Sequence, residues 1–309
     1  MKPLVSIIMN CRNGQEYLRE SINSVINQTY NNWELIFVDN ASTDKSKDIF
    51  HLYKDDRMKY LHVDKPLNLG SARQIALENC NGEYISFLDT DDIWFEKKIE
   101  KQITYFKDAN VGMVISNTIF FSKIKKKTFY NEKPATGYVF KDLLKRYFIS
   151  LETLMCKKKF MEDISFKFDR QYSLISDMDL TLRLSLISKL AYCPMELAQW
   201  RVHSLSDSWK RKDLFFLEQL NLIEKLSLLK ENVNNDSFDK EKKNFKKKIN
   251  FSIILNMLEN GVKKKEIINN IIKKKLSIDK FCIALSLVVL PYSRSIIKLY
   301  RSYFSILPQ

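Results

Sequence analysis

Glycine and proline are scarce, at six each in 309 residues, which excludes collagen-like repeats and low-complexity architecture. The five cysteines, Cys11, Cys80, Cys156, Cys193 and Cys282, are scattered and show no C-x-x-C spacing. That pattern speaks against a disulfide framework or a zinc site and for a reducing compartment. No run of about 18 apolar residues occurs, so no membrane-spanning helix is expected. The opening apolar run, LVSIIM, is short and meets Asn10 at once; it reads as a first strand and not as a signal peptide. Neither G-x-G-x-x-G nor G-x-x-x-x-G-K-[ST] is present, which removes the Gly-rich phosphate loops. Histidine occurs three times, as His51, His62 and His203.

Positive charge is abundant and uneven. Lys plus Arg is 51 against 37 acids, a net charge of +14. Residues 221–309 hold 18 basic and 8 acidic side chains, so most of the excess lies in the tail. Such a field suits an anionic partner, phospholipid or nucleic acid. A 45% hydrophobic and 28% charged composition is that of a globular protein. The length fits one main domain with an extension, divided at residues 1–212 and 213–309.

Along the first part, short β-branched runs alternate with helical periodicity. Residues 4–9 (LVSIIM), 33–38 (WELIFV), 60–63, 83–88 (EYISFL) and 111–121 read as strands. Between the first two, Leu18, Ile22, Val25 and Ile26 mark one helix face. Ser42 is placed to cap a helix through Tyr53, Gly70 to turn into the next helix, and a further helix is expected near Ile93. The alternation predicts an α/β fold with a mostly parallel sheet, whose right-handed crossovers put all strand carboxyl ends on one edge. Ligands of such sheets bind at that edge. From residue 138 to about 209 the pattern is mixed, with one helical stretch near 179–190. Residues 213–309 read as helices punctuated by Lys runs at 246–248, 263–265 and 273–275, with an apolar stretch at 281–293 broken by Pro291.

Several residues just past strand ends carry chemistry. Asp89, Asp91 and Asp92 crowd like charges that a cation would relieve, and carboxylates are hard ligands suited to Mg2+ or Mn2+. The plainer reading is a solvated loop before a helix. Asp39 would accept from a sugar hydroxyl or base N–H, or serve as a turn residue with Asn40. Arg73, in the first turn of a helix, would bind phosphate or lie solvated on the surface. Asp177 and Asp179, in ISDMDLTLRL, would supply a general base or cap a helix. Arg201 and His203 lie together in QWRVHS.

Taken in order, these blocks resemble family 2 glycosyltransferases. SIIMNCRNGQEYLRESINSVINQTYNNWELIFVDNASTD, NLGSARQIAL, NGEYISFLDTDD, SDMDLTLRL and QWRVHSLSDS follow the family's order over about residues 3 to 209. The resemblance implies a GT-A, Rossmann-like mostly parallel sheet flanked by helices with a C-terminal helical extension. A nucleotide-binding half would run to about residue 121 and an acceptor half from 122 to 212. It implies that Asn10, Arg12, Asp39, Arg73 and Asp89 hold the nucleotide-sugar and that Asp91 and His203 meet the metal. Asp177 would deprotonate the acceptor hydroxyl. Arg12 stands where an aromatic is common, Asn40 replaces a frequent second Asp, and Ser176 stands where Glu usually precedes the catalytic Asp. No Q-x-x-R-W occurs, which speaks against a processive synthase. The implied activity is inverting, metal-dependent transfer from a UDP-hexose or UDP-N-acetylhexosamine to a glycan acceptor, lipid-linked, for a cell-surface polysaccharide. The expected seat is the cytoplasmic face of the membrane, with the basic tail on anionic lipid and no nucleic acid partner. The rival readings are a nucleotidyltransferase, an aspartate-nucleophile phosphatase built on FLDTDDI, and a non-catalytic basic membrane-binding protein.

Overall fold

A computed structural model describes residues 2–122, 124–164, 167–203, 211–228, 235–260 and 262–273. Cys282, the apolar stretch at 281–293 and the end of the third Lys run lie outside the described residues. Contacts divide the chain into two units, Met1–His203 and Ser204–Gln309.

Among the described residues of the first unit are nine strands: β1 (Val5–Cys11), β2 (Trp33–Asn40), β3 (Met58–Val63), β4 (Tyr84–Phe87), β5 (Ile93–Trp94), β6 (Val111–Phe121), β7 (Lys126–Thr128), β8 (Met155–Lys157) and β9 (Lys189–Arg201). The sheet order is β3-β2-β1-β4-β8-β6-β9-β5, with β7 on β6. The long ladders, β1 with β2 and β4, β2 with β3, and β6 with β9, are parallel. The antiparallel pairings are short. Because β8 runs antiparallel to both β4 and β6, strands β4 and β6 point the same way, and so does β9. The carboxyl ends of β1, β2, β4, β6 and β9 therefore open on one edge. The central strands are apolar on both faces, as covered parallel strands must be; Ile7, Leu35, Phe37, Ile85 and Val114 are fully buried.

Helices α1 (Leu18–Ile26), α2 (Ser46–His51), α3 (Leu69–Glu78), α4 (Lys98–Ile103), α5 (Phe140–Lys145), α6 (Lys158–Glu162) and α7 (Ser176–Ile187) accompany the sheet. Leu18, Ile22 and Val25 of α1 are buried together, as their spacing predicts. Four local expectations change. Ser42 is no helix cap: its N–H donates to Asp39 Oδ1 (2.9 Å), its hydroxyl accepts from Asn13 N–H (3.0 Å), and α2 begins later. Gly70 is not a turn but lies inside α3, capped by the Asn68 side chain. A Cβ there would stand 2.2 Å from the Asp169 carbonyl and 2.8 Å from that of Tyr172, so only glycine lets the helix start pack on that loop. Ile93 and Trp94 form a strand against β9 rather than a helix, and α4 starts at Lys98. Residues 189–201, which extend past the expected helix, form the longest strand.

In the second unit, helices Lys212–Leu228, Asn235–Glu259 and Lys264–Lys273 are described. Phe251, Ile254, Leu255, Leu258 and Ile267 make its small core. No helix among the described residues is long and apolar enough to cross a membrane. The four described cysteines are free and buried.

Candidate active site

The loops after β1 and β2 are stitched together at the ligand edge. Gln15 N–H donates to Asp44 Oδ2 (3.0 Å) and Lys45 N–H to Gln15 Oε1 (3.1 Å). Asn10, at the end of β1, is half-buried, and its side-chain Nδ2 is buried without a hydrogen-bond acceptor among the described residues. Arg12 is exposed beside it. Asp39, at the end of β2, is almost fully buried. Its Oδ2 accepts from the Tyr60 hydroxyl at 2.6 Å, and His62 Nδ1 stands 3.7 Å away, directly across the β2–β3 ladder. Asp39 therefore serves as a turn acceptor and also presents a buried carboxylate at the edge. Burial of the Tyr60 hydroxyl, then its bond to Asp39, push its pKa above its ordinary value, so it donates across the neutral range.

The acid loop leaves β4. Asp92 is buried, with Oδ1 accepting from Arg201 N–H at 2.9 Å. Arg201 Nε also donates to the Asp91 carbonyl (2.9 Å), and its Nη2 to Glu20 (2.8 Å). Its guanidinium lies over the Tyr17 and Phe121 rings at 4.3 and 4.6 Å. The end of β9 thus clamps the loop, and two residues further on His203 Nε2 sits 2.8 Å from Asp91 Oδ2. A solvated acidic loop before a helix would not carry these bonds. The loop follows the fourth strand, whereas an aspartate-nucleophile phosphatase carries its motif after the first.

Arg73 is buried, with a side chain 4% exposed, which removes the solvated reading. The guanidinium donates from Nη1 to Ser176 Oγ (2.8 Å). It lies 3.4 Å from Asp89 Oδ1 and 3.7 Å from Asp177 Oδ1. One cation thereby joins two carboxylates from elements remote in sequence. Asp177 stands in the first turn of α7, 21% exposed, with the Tyr147 hydroxyl 3.4 Å from its Oδ2. Asp179 is fully buried and gripped by Arg183 at 2.5 to 3.2 Å, an i,i+4 pair. The two acids of SDMD therefore separate: Asp177 faces the acid loop and Asp179 faces the core. Tyr147, Tyr60 and Glu152 were not marked by sequence motifs, because each reaches the site from an irregular stretch or an edge strand. Asp179 and Arg183 stand at i,i+4 spacing, the sequence signal that could have marked their ion pair.

Electrostatics at the edge follow from crowding. Burial raises the Asp89 pKa, Arg73 opposes it, and Asp91 and Asp177 add to the rise. Asp92 is pushed well up by burial and then by Asp91, Glu152 and Asp89. Behind the loop, Lys98 is wholly buried; its Nζ donates to Gln102 Oε1 (2.7 Å) and Ser86 Oγ (3.0 Å) and lies 4.0 Å over Trp94. Burial pushes its pKa down to about 7, against Glu152. The unfolded chain keeps that proton to the ordinary lysine value of 10.5. Between those values the unfolded state binds more protons, so stability rises with pH, by at most about 1.4 kcal/mol per pH unit. Lys98→Met should flatten that slope between about pH 7 and 8.5, below the range where unfolded thiols ionise; urea melts across the interval read it. An unchanged slope in the variant would remove Lys98 as its source.

In chemistry, this edge offers a clamped acid loop, an adjacent imidazole, a base-type carboxylate one arginine away, and a buried acceptor at the far end. No group of three metal-ligating side chains occurs among the described residues. Asp91 and His203 side by side still match an ion held by one or two protein groups and completed by diphosphate oxygens and water.

Known proteins agree with this architecture. The chain is 41% identical over 120 residues to an uncharacterized glycosyltransferase of Haemophilus influenzae, over 38% of this chain and 48% of that protein. It is 32% identical over 166 residues to WfgD of Escherichia coli, a UDP-Glc:alpha-D-GlcNAc-diphosphoundecaprenol beta-1,3-glucosyltransferase, over 53% of this chain and 64% of that one. The chain thus spans about half to two thirds of these relatives' length. The structure of S. aureus TarS 1-349 in complex with UDP-GlcNAc superposes with a TM-score of 0.71 at 15% identity, covering 97% of this chain and 92% of that one. That likeness establishes the fold as GT-A type. The sequence model described as Glycosyl transferase family 2 matches residues 6–166, just over half the chain, and on that match the chain belongs to glycosyl transferase family 2.

Proposed function

We propose that the chain transfers a hexose or N-acetylhexosamine from a UDP-sugar to a hydroxyl of a lipid-linked glycan, with inversion, in cell-surface polysaccharide synthesis. One observation carries the reading: Arg73 ties Asp89 of the acid loop to Asp177 of α7, so a metal-type carboxylate and a base-type carboxylate share one cleft. The acceptor class follows WfgD, whose name specifies a sugar on diphosphoundecaprenol.

In this reading, Asp39 accepts from the base N–H, since each of its oxygens keeps a second lone pair beside the bonds from Ser42 and Tyr60. Asn10 Nδ2, which has no acceptor among the described residues, donates to the nucleoside. Arg12 covers the nucleoside from the solvent side, and Asp89 and Arg73 line the ribose and sugar end. Asp91 and His203 would hold Mg2+ or Mn2+. When bound, such an ion neutralises charge on the departing diphosphate. Asp177 accepts the acceptor hydroxyl's proton as its oxygen bonds to the anomeric carbon; the bond from that carbon to the diphosphate oxygen breaks, and its electron pair leaves with the UDP. Attack opposite the leaving group inverts the configuration. The exposed lysines Lys243 and Lys248 of helix Asn235–Glu259 would favour an anionic membrane surface at the cytoplasmic face, at about 1 kcal/mol per lysine.

A thermal-shift screen of UDP-, GDP- and dTDP-sugars with Mn2+ tests the donor. UDP-sugars should raise the melting temperature in a metal-dependent way; at a ligand concentration 100-fold above Kd the gain is about 2.7 kcal/mol. Stabilisation by GDP- or dTDP-sugars alone would overturn the UDP assignment.

A further inference from the structure

We propose that the β6–β7 hairpin tip seats on an anionic phospholipid surface, beside the catalytic edge. This deepens the membrane part of the proposed function and does not depend on Asp177 being the base. Residues 118–129 read TIFFSKIKKKTF and contain no acid. Hydrogen bonds tie the described residues of the tip to one another: Ser122 N–H donates to the Lys125 carbonyl (2.8 Å), and Ser122 Oγ accepts from Ile124 N–H (3.3 Å) and Lys125 N–H (3.2 Å). Strand pairing continues below it, with Phe121 opposite Lys126 and Phe120 opposite Lys127.

This turn holds Ile124 out into solvent at 89% exposure, beyond Leu52 at 61% and Tyr138 at 60%. Lys125, Lys126 and Lys127 are exposed around it. Lysines on a short edge strand are a common guard against edge-to-edge pairing. That explains the charges and leaves the isoleucine unexplained, since a guard has no use for a large apolar side chain at its summit. An apolar point ringed by lysines, whose stems lie along the hydrocarbon boundary while their ammonium groups meet phosphates, fits the bilayer interface.

The position gives the contact a purpose. Because β6 shares its direction with β4, the tip leaves the same sheet edge as the acid loop. Phe121 pairs with Arg201 across the β6–β9 ladder and packs under its guanidinium at 4.6 Å. Arg201 in turn holds the backbone of Asp91 and the carboxylate of Asp92. A tip seated among headgroups would bring the catalytic edge to the depth where a lipid-linked diphosphate lies.

The test uses the full chain and extruded vesicles, either phosphatidylcholine alone or equimolar phosphatidylcholine and phosphatidylglycerol. Ile124→Trp should show a blue-shifted emission, relative to wild type, on phosphatidylglycerol vesicles only, and brominated acyl chains should quench it. Reversing the charge with K125E, K126E and K127E together should lower the vesicle partition coefficient by about 100-fold or more. All variants should keep the wild-type thermal shift with UDP, as none touches the site. Co-sedimentation without an emission change at residue 124 would mean that other basic segments bind alone, and would overturn the proposal. So would an absence of vesicle binding, or a blue shift produced by a single-stranded oligonucleotide and not by vesicles. Loss of the UDP response in wild type would instead count against the donor reading and leave the hairpin assignment standing.

Discussion

Asp177→Asn leaves UDP binding close to wild type and lowers the transfer rate by about 10²- to 10⁴-fold, the range for removing a general base. Asparagine keeps the size of the side chain, and its amide oxygen still lies within reach of Arg73 and Tyr147, so the cleft keeps its shape. The accepted proton has nowhere equivalent to go, because Asp179 is buried under Arg183. Asp89 lies on the other side of Arg73, beside the acid loop. Calorimetry with UDP and single-turnover transfer measure the two quantities separately. Full transfer in this variant would refute the assignment, whereas lost UDP binding would show that Asp177 belongs to the donor pocket.

Arg73→Met should reach the reaction by another route. Removing the guanidinium leaves Asp89 and Asp177 facing each other with Asp91 nearby, and no cation between them. Arg73 opposes the rise in the Asp89 pKa, so without it the Asp89 carboxyl takes up its proton at higher pH, and the acid limb of the rate profile moves to higher pH. Arg73→Lys should restore part of the loss, since the charge returns without the two-pronged geometry. Stability should fall by about 1 to 3 kcal/mol through the lost charged hydrogen bonds, with Ser176 Oγ left without its donor. An unmoved acid limb with weakened UDP binding would place Arg73 on the nucleotide instead.

Much of the fold of residues 1–121 could be read from local pattern. The runs LVSIIM and WELIFV announce strands buried on both faces, and the spacing of Leu18, Ile22 and Val25 announces the helix between them. Asp39 and the acid cluster fall at strand ends because buried parallel strands stop where polar residues begin. In each misreading a competing partner outweighed the local signal. Ile93 and Trp94 follow acids that suit a helix start, and Trp94 is drawn into a strand by its pairing with Ala198, more than a hundred residues away. Residues 189–201 carry Pro194 and polar residues that weaken a strand pattern, and the parallel ladder with β6 accommodates them through register shifts. Ser42 has cap chemistry, but a nearer partner, Asp39, takes its amide.

By itself the sequence determined the βαβ class, the order of the acidic residues along the chain and the family they resemble, since each of these is written in spacing of a few residues. Only the tertiary structure decided which acids meet. Asp177 and Asp179 are two positions apart and chemically alike, yet the helical turn between them sends one to the cleft and the other to a buried arginine. Arg73 reads as a surface charge until α3 and α7 close around it. Proximity across a sheet edge depends on which strands become neighbours, and strand neighbours are chosen by burial over the whole domain, which no short window of sequence contains.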